Sequence, residues 1–147
     1  MTGADDTPWE PPLAGSETDH LLGALERLRT TFRWKADDLT AEGLRATVGA
    51  STLTLGGLLK HLSVAEDFMF TTKLHGEPIG PTWDDNGWDD DPDWEFSSAA
   101  AETPEELYGR YDDTVARSRR RVAAALAAGG LDQLVHVSDG EGHHASL

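Results

Sequence analysis

Apolar residues recur every three or four positions in three long segments of this 147-residue chain, and this spacing constrains the fold more than any other feature. In the segment that begins at Ser16, the positions are Leu21, Leu25, Leu28 and Phe32. Such spacing places side chains on one face of an α-helix. Three amphipathic helices bury their apolar faces poorly in a plane, so we predict an all-α fold of the four-helix-bundle class. The sequence contains three long helices, and we expect the fourth to be missing or truncated.

The second helix is predicted to begin after a hydroxyl-bearing cap, for which Ser51, Thr52 and Thr54 are candidates. It should stop at Gly76, because glycine commonly ends helices. The pair Gly56-Gly57 near its start costs about 1 kcal/mol per residue relative to alanine. We therefore expect a neighbouring helix to approach closely there.

The third helix has the clearest start signal. Thr103 is a cap, Pro104 occupies the first helical position, and Glu106 completes a capping box. Gly129-Gly130 should end the helix. Four basic residues near its C-terminus favour either a solvated face or a counter-charge to an acidic loop: Arg117, Arg119, Arg120 and Arg121. The predicted apolar stripe is Tyr108, Tyr111, Val115, Val122 and Leu126, with Ala125 beside it.

We divide the chain into an extended lead-in, residues 1–15, and one helical domain, residues 16–147, that is incomplete at its C-terminus. The lead-in is rich in proline and glycine, and we expect Trp9 and Leu13 to anchor it on the body. Thr40 to Ala46 are predicted to add a short helical turn. A length of 147 residues suits one domain with a real core.

The charge of the chain excludes several classes of function. Twelve basic residues against 27 acidic ones give a net charge of −15, which argues against binding to nucleic acids or anionic membranes. The absence of cysteine excludes disulfides and a thiolate nucleophile, and it fits the cytoplasm, where we place the protein. We find no secretion signal and no apolar stretch near the ~20 residues of a membrane span.

Residues 77–102 form a long connection with an acidic, tryptophan-rich centre, residues 83–96. Its aspartates suggest a calcium loop, but the spacing of Asp84, Asn86 and Asp89 does not match the EF-hand pattern. We favour a hydrated loop whose tryptophans fasten it to the bundle. Long loops of this kind often carry function.

His61 is the candidate functional residue of the second helix. Helical spacing places it on one face with Leu58, Ala65 and Phe68, which is apolar apart from the imidazole. An unpaired buried polar group costs about 1–3 kcal/mol, so a buried ring needs a partner. A backbone carbonyl, a carboxylate, a water or a metal ion could fill that role. The other histidines are not spaced to pair with it on a helix: His20, His75, His136, His143 and His144.

The C-terminal residues 131–147 are ambiguous. Leu134 to Val137 could form a short strand or an extended packing segment, and Gly140-Glu141-Gly142 is predicted to form a turn. Ser146 would make a good N-cap. We therefore expect the entrance to a fourth helix at the point where the sequence stops.

Residues 51–70, STLTLGGLLKHLSVAEDFMF, resemble the second-helix segment of the DinB-like superfamily in its actinobacterial branch. That branch shows a Ser-x-Leu-x-Leu-x-Gly-Leu-x-x-His-Leu-x-x-x-Glu pattern. Residues 32–35, Leu39-Thr40 and Gly76-Glu77-Pro78 are similar to further family positions. The resemblance covers about residues 18–147 and implies an up-down-down-up four-helix bundle that is often dimeric.

The resemblance also implies a divalent metal, zinc or nickel, held by three histidines. His61 matches the ligand of the second helix. The other two family ligands form a His-x-x-x-His pair on the fourth helix, and this sequence has no counterpart for that pair. Glu66 matches the family glutamate, which implies a catalytic role as proton acceptor or an orienting role; a surface or helix-capping charge is the structural alternative.

Two functions follow as expectations. The first is a metal-dependent enzyme with mycothiol as co-substrate, acting as a thiol transferase, isomerase or hydrolase on an unknown small molecule. The second is a non-catalytic helical module that binds a small apolar ligand or a partner chain. Loss of one helix of four would expose an apolar trough, so we also predict self-association, most simply as a homodimer.

Overall fold

The structure is a computed structural model that describes residues 10–84 and 87–147. Its contacts divide the chain into two units, Met1–Asp38 and Leu39–Leu147. The elements in chain order are α1 (Glu17–Lys35), α2 (Ala41–Arg45), α3 (Leu55–Asp67), a π-helical segment (Phe68–Lys73), α4 (Pro81–Asp84), α5 (Trp94–Ser97), a 3-10 helix (Ser98–Ala101), α6 (Pro104–Gly129), β1 (Leu134–Ser138) and β2 (His144–Ser146). Within these described ranges the predicted count of three long helices is confirmed: α1, α3 with its π-helical continuation, and α6.

The first unit is built on α1. Ser16 caps the helix in a reciprocal capping box with Asp19, which explains the predicted start. Two residues of the predicted apolar stripe are exposed, Leu21 by 53% and Leu28 by 69%, whereas Leu25 and Phe32 are partly buried.

The lead-in is described from residue 10 onward. Pro11 and Pro12 lie against Gly23, where an added Cβ would come within 3.0 Å of the Pro11 backbone. Leu13 is fully exposed, so its predicted anchoring role is wrong. The other predicted anchor, Trp9, lies outside the described residues.

The core of the second unit is the contact between α3 and α6. Thr54 caps α3 by accepting a hydrogen bond from the backbone N–H of Gly57 at 2.9 Å. The expected close approach at the glycine pair is confirmed. A Cβ on Gly56 would lie 3.1 Å from the Leu44 carbonyl oxygen of α2 and 3.2 Å from the Leu107 side chain of α6. Glycine therefore lets α2 and α6 pack directly on the backbone of α3.

The predicted boundaries of the other helices of this unit are confirmed. Thr40 caps α2, and Thr103 with Glu106 forms the capping box of α6. Gly76 ends the second long helix with a φ of +73°, and Gly130 ends α6 with a φ of +70°. Glycine adopts this left-handed backbone without the steric cost that a Cβ brings.

The C-terminal residues form an antiparallel hairpin of β1 and β2. Of the two alternatives for residues 134–137, the structure forms the strand, and the predicted turn at residues 140–142 is confirmed. The interpretation of Ser146 as a helix cap is wrong in this structure, because Ser146 is paired with Leu134 in β2. His136 of β1 lies directly on Gly76, where an added Cβ would approach the imidazole to 2.5 Å. The hairpin thereby packs against the end of the second long helix.

In the part of the chain that the structure describes, no helix combines the length and apolarity that crossing a bilayer requires. The π-helical segment that follows Asp67 changes the register of the side chains in the last turns of the second long helix. π-Helical turns often occur at functional sites. Phe68 and Met69 of this segment remain 43% and 47% exposed.

Candidate functional site

His61 lies on α3, and its ring is held by α5. The Nδ1 atom is 3.1 Å from Oε1 of Glu95. The imidazole also stacks on the Phe96 ring, with centroids 4.9 Å apart and planes inclined by 23°. Of the four partners considered from the sequence, the structure supplies a carboxylate.

The apolar face suggested by the spacing does not bury the His61 ring completely, because its side chain is 42% exposed. The buried face of α3 carries small and aliphatic residues, including Leu59, Ser63 and Val64. Their compact side chains and the neighbouring glycines permit close packing against α6. The helical stripe that contains His61 lies at the edge of this contact instead.

Glu95 is itself firmly held. Its side chain is only 13% exposed, and its second oxygen, Oε2, accepts a hydrogen bond from the indole N–H of Trp88. The Trp88 ring meets Trp94 edge to face, with centroids 4.9 Å apart. Burial alone would raise the pKa of Glu95, but the hydrogen bonds from Trp88 and His61 outweigh it and lower that pKa. Glu95 is therefore a carboxylate at neutral pH.

A buried lysine fastens the segment that carries Glu95. The Lys60 side chain is 4% exposed, and its Nζ donates to Ser98 Oγ at 2.7 Å and to Glu102 Oε1 at 2.8 Å. The same ammonium group lies 4.2 Å from the centre of the Trp94 ring, within cation–π range. Lys60 and His61 are consecutive on α3, so α3 holds residues 94–102 at two adjacent points.

Glu102 joins this segment to α6. Arg110 donates to both carboxylate oxygens, with distances of 2.6 and 3.0 Å, in the bidentate geometry that guanidinium and carboxylate groups favour. Burial would raise the pKa of Glu102, but the hydrogen bonds from Arg110 and Lys60 prevail and lower it below its ordinary value of 4.5.

This lowered pKa makes stability depend on acid pH. The contribution of Glu102 is fully present above the unfolded-state pKa of 4.5 and is lost as the pH falls through the lower folded-state pKa. We therefore expect the difference in the free energy of unfolding between wild type and Glu102→Gln to narrow below pH 4.5. Denaturant titrations at a series of pH values measure it. Glu105→Gln, at an exposed position of α6, is the control for removal of one carboxylate. A difference for Glu102→Gln that stays constant with pH would contradict the prediction.

The acidic connection is also fastened through Trp83, which is 1% exposed. Its indole N–H donates to Oδ2 of Asp67 at 2.7 Å. Arg117 of α6 contacts both oxygens of Asp67, with Nε 3.3 Å from Oδ1 and Nη2 3.0 Å from Oδ2. The predicted attachment of the loop by its tryptophans is confirmed for Trp83 and Trp94. Arg117 is a counter-charge to a carboxylate of the second helix.

An open cleft of about 270 Å³ lies next to this network, and His61 is not among its lining residues. Both arginines that line it are paired with carboxylates: Arg117 with Asp67, and Arg121 with Glu77. These pairings balance the positive charges of the cleft.

Glu66 does not share a face with His61. The two are five residues apart on α3, which corresponds to about 140° around a helix of 3.6 residues per turn. The Glu66 carbonyl oxygen is 3.5 Å from Ser118 Oγ of α6. The carboxylate that the structure brings to His61 is that of Glu95.

His61 fits the role of one metal ligand, because metal-binding histidines typically have a carboxylate or carbonyl on their other ring nitrogen. Among residues 10–84 and 87–147, one group of three potential ligands lies within reach of a single ion, namely Asp139, Glu141 and His143 in the exposed hairpin turn. That group does not include His61. By itself, His61 would provide only one of the about three protein ligands that catalytic zinc sites use.

Three of the other histidines make local contacts. His20 and His144 each place Nδ1 near a backbone carbonyl oxygen, at 2.9 Å from Ser16 and 2.8 Å from Val135. His143 contacts Asp139 at 2.7 Å. These contacts belong to the N-terminus of α1 and to the hairpin.

Sequence reasoning missed Glu95, Trp88 and Phe96 as neighbours of His61. A signal existed in the alternation of tryptophan and acidic residues in the connection, which was interpreted only as a means of attachment. The spacing within α3 could not indicate which loop residue would reach the ring, because Glu95 lies 34 positions beyond His61, past a connection with irregular backbone.

Comparison with known proteins decides the family. A family model described as mycothiol-S-transferase matches residues 20–147, which is most of the chain. The chain belongs to the mycothiol-S-transferase family. This family is part of the DinB-like superfamily, so the resemblance inferred from residues 51–70 is confirmed, together with the helical fold class. Searches of curated proteins and of solved structures find no match to this chain.

The mycothiol-S-transferases are metal-dependent transferases, and the family implies mycothiol and an electrophilic substrate as reactants. The predicted co-substrate thus agrees with the family. The assignments of His61 as metal ligand and Glu66 as catalytic residue stay predictions.

Proposed function

We propose that this protein transfers the thiol of mycothiol to a small electrophilic substrate, with His61 as a ligand of the divalent metal. The observation that carries the proposal is the contact of Glu95 with His61, which lies on the helix that contains the family pattern. The ring is partly exposed, so a metal ion or substrate can approach it, while Glu95 and Phe96 restrict its orientation.

The proposed reaction is a nucleophilic substitution at carbon. The sulfur of mycothiol forms a bond to an electrophilic carbon, the leaving group departs with the electron pair of the bond that breaks, and the thiol proton passes to a base. A bound divalent ion lowers the pKa of a coordinated thiol and so favours the thiolate. Glu66 is proposed as the proton acceptor only on its match to the family glutamate, since it lies about 140° from His61 around α3. Glu66→Gln should slow the conjugation if this assignment holds, and a wild-type rate in Glu66→Gln would exclude it.

The proposal is tested by following the conjugation of mycothiol with monochlorobimane, from which chloride departs. We expect the protein with added zinc or nickel to accelerate the reaction with mycothiol more than with cysteine or glutathione. A chelator should return the rate to that of the uncatalysed reaction. Equal rates with and without the protein would contradict the proposal; mycothiol binding without turnover would favour the alternative, a non-catalytic binding module.

Self-association stays a prediction. In the described residues, three apolar side chains on or next to the second long helix are 43–50% exposed: Leu53, Phe68 and Met69. Exposed apolar side chains of this kind favour association when they are contiguous. Sedimentation over a series of protein concentrations should show a dimer, and a monomer across the whole series would contradict the prediction.

A further inference from the structure

We propose that Glu95 is a positioning residue that holds His61 in the tautomer with its proton on Nδ1 and leaves the lone pair of Nε2 for a ligand. The inference rests on the proposed function for the identity of that ligand. It rests on the structure alone for the state of the ring.

The first step is the chemistry of the contact. An ionised carboxylate offers lone pairs and has no proton to donate, so Oε1 of Glu95 can only accept a hydrogen bond. The atom that faces it at 3.1 Å is Nδ1 of His61. A neutral imidazole has one N–H, and in this contact the N–H is on Nδ1. The other nitrogen, Nε2, is then the acceptor. A free histidine side chain in water prefers the opposite tautomer, so the protein imposes this one.

The second step is the rigidity of the carboxylate. Its other oxygen accepts the hydrogen bond from the Trp88 indole, and the Glu95 side chain is almost buried. The next residue, Phe96, stacks on the imidazole. Two consecutive residues of α5 therefore restrict both the rotation of the ring and the direction of its N–H. A Cβ on Gly57 would lie 3.2 Å from the Phe96 ring, which shows how closely α5 approaches α3.

The third step is accessibility. The His61 side chain is 42% exposed although its Nδ1 contacts a residue that is 13% exposed. The ring thus retains an open portion after the contact with Glu95 is made. An outer carboxylate of this kind also increases the basicity of the ligating nitrogen, and its loss typically costs about 10–100-fold in metal affinity.

The tautomer is measured by long-range ¹H–¹⁵N correlation spectra of the ¹⁵N-labelled protein, in a sample alkaline enough for neutral imidazole. We expect His61 of the wild type to carry its proton on Nδ1, and Glu95→Ala to shift it toward Nε2. Glu105→Gln should leave it unchanged. A wild-type ring protonated on Nε2, or no change in a folded Glu95→Ala protein, would overturn the inference.

Trp88→Phe provides a second variant should Glu95→Ala fail to fold. It removes the hydrogen bond that orients Glu95 and keeps the carboxylate, so we expect a partial shift toward the Nε2–H tautomer. If the His61 ring of the Trp88→Phe protein is protonated on Nδ1 as fully as in the wild type, the result would count against the proposed restraint.

Zinc titration of the same samples separates this inference from the proposed function. We expect the His61 signals to move with zinc, and Glu95→Gln to need about 10–100-fold more zinc for the same shift. If zinc leaves the wild-type His61 signals unchanged, the proposed role of His61 as a metal ligand is contradicted. An Nδ1-protonated His61 ring in the same sample would still support Glu95 as a positioning residue. Equal zinc affinity in wild type and Glu95→Gln overturns the predicted effect of Glu95 on the ligand.

Discussion

Replacing His61 with alanine is expected to reduce kcat/KM for mycothiol conjugation by at least about 100-fold, because loss of even an outer partner of a metal ligand typically costs about 10–100-fold. His61 is the one residue that both matches the family ligand and is held by a carboxylate. Alanine removes the nitrogen that we propose binds the metal, and Glu95 loses one hydrogen-bond partner. The measurement is the initial rate at substrate concentrations far below KM, with metal in excess.

The matched control is His75→Ala, because His75 is an exposed histidine near the end of the same long helix. It should retain wild-type activity and metal content. Circular dichroism of His61→Ala should show an intact helical fold, since the ring lies at the edge of the core. Wild-type kcat/KM in a folded His61→Ala protein would exclude His61 from the proposed site.

Replacing Trp83 with alanine is expected to lower the free energy of unfolding by about 3–5 kcal/mol, the usual range for truncating a buried aromatic residue. Trp83 is 1% exposed, and its indole donates to a carboxylate that is itself almost fully buried, Asp67. The substitution therefore leaves a cavity and removes one hydrogen bond from a buried charge. Denaturant unfolding followed by circular dichroism measures the loss.

Trp83→Phe separates the two contributions. It keeps most of the buried volume and removes the indole N–H, so we expect a loss of about 1.5–3 kcal/mol, typical of a hydrogen bond to a charged group. Trp34→Ala is the control, since Trp34 is 68% exposed and should cost under about 0.5 kcal/mol. A Trp83→Ala protein as stable as wild type would mean that the connection is not fastened by this residue.

The helix ends could be predicted because they depend on neighbouring residues. The Thr103 and Glu106 side chains satisfy backbone N–H groups within the first turn of α6, and Gly76 adopts a left-handed backbone at the end of the second helix. These contacts span three or four residues, so the local sequence contains both partners. The apolar spacing in α1 does not predict which residues are buried, because Leu21 and Leu28 have the helical spacing of core residues and are nevertheless exposed.

The candidate site could be predicted only in part. The family pattern identified His61, and the structure identified its carboxylate. Glu66 was the candidate from the sequence, since it follows His61 by five residues and matches the pattern. Glu95 is 34 residues away and reaches the ring through the path of the connection, which Lys60 and Trp83 hold.

The sequence by itself determined the helical class, the ends of α3 and α6, the family and the histidine at the centre of the proposal, because each depends on local hydrogen bonding or on a contiguous pattern. Only the tertiary structure decided that His61 lies at the edge of the α3–α6 contact and that Glu95 and Phe96 hold its ring. The physical reason is that contacts between distant residues depend on how the chain packs, and the spacing of residues within one helix carries no information about a loop that returns to it.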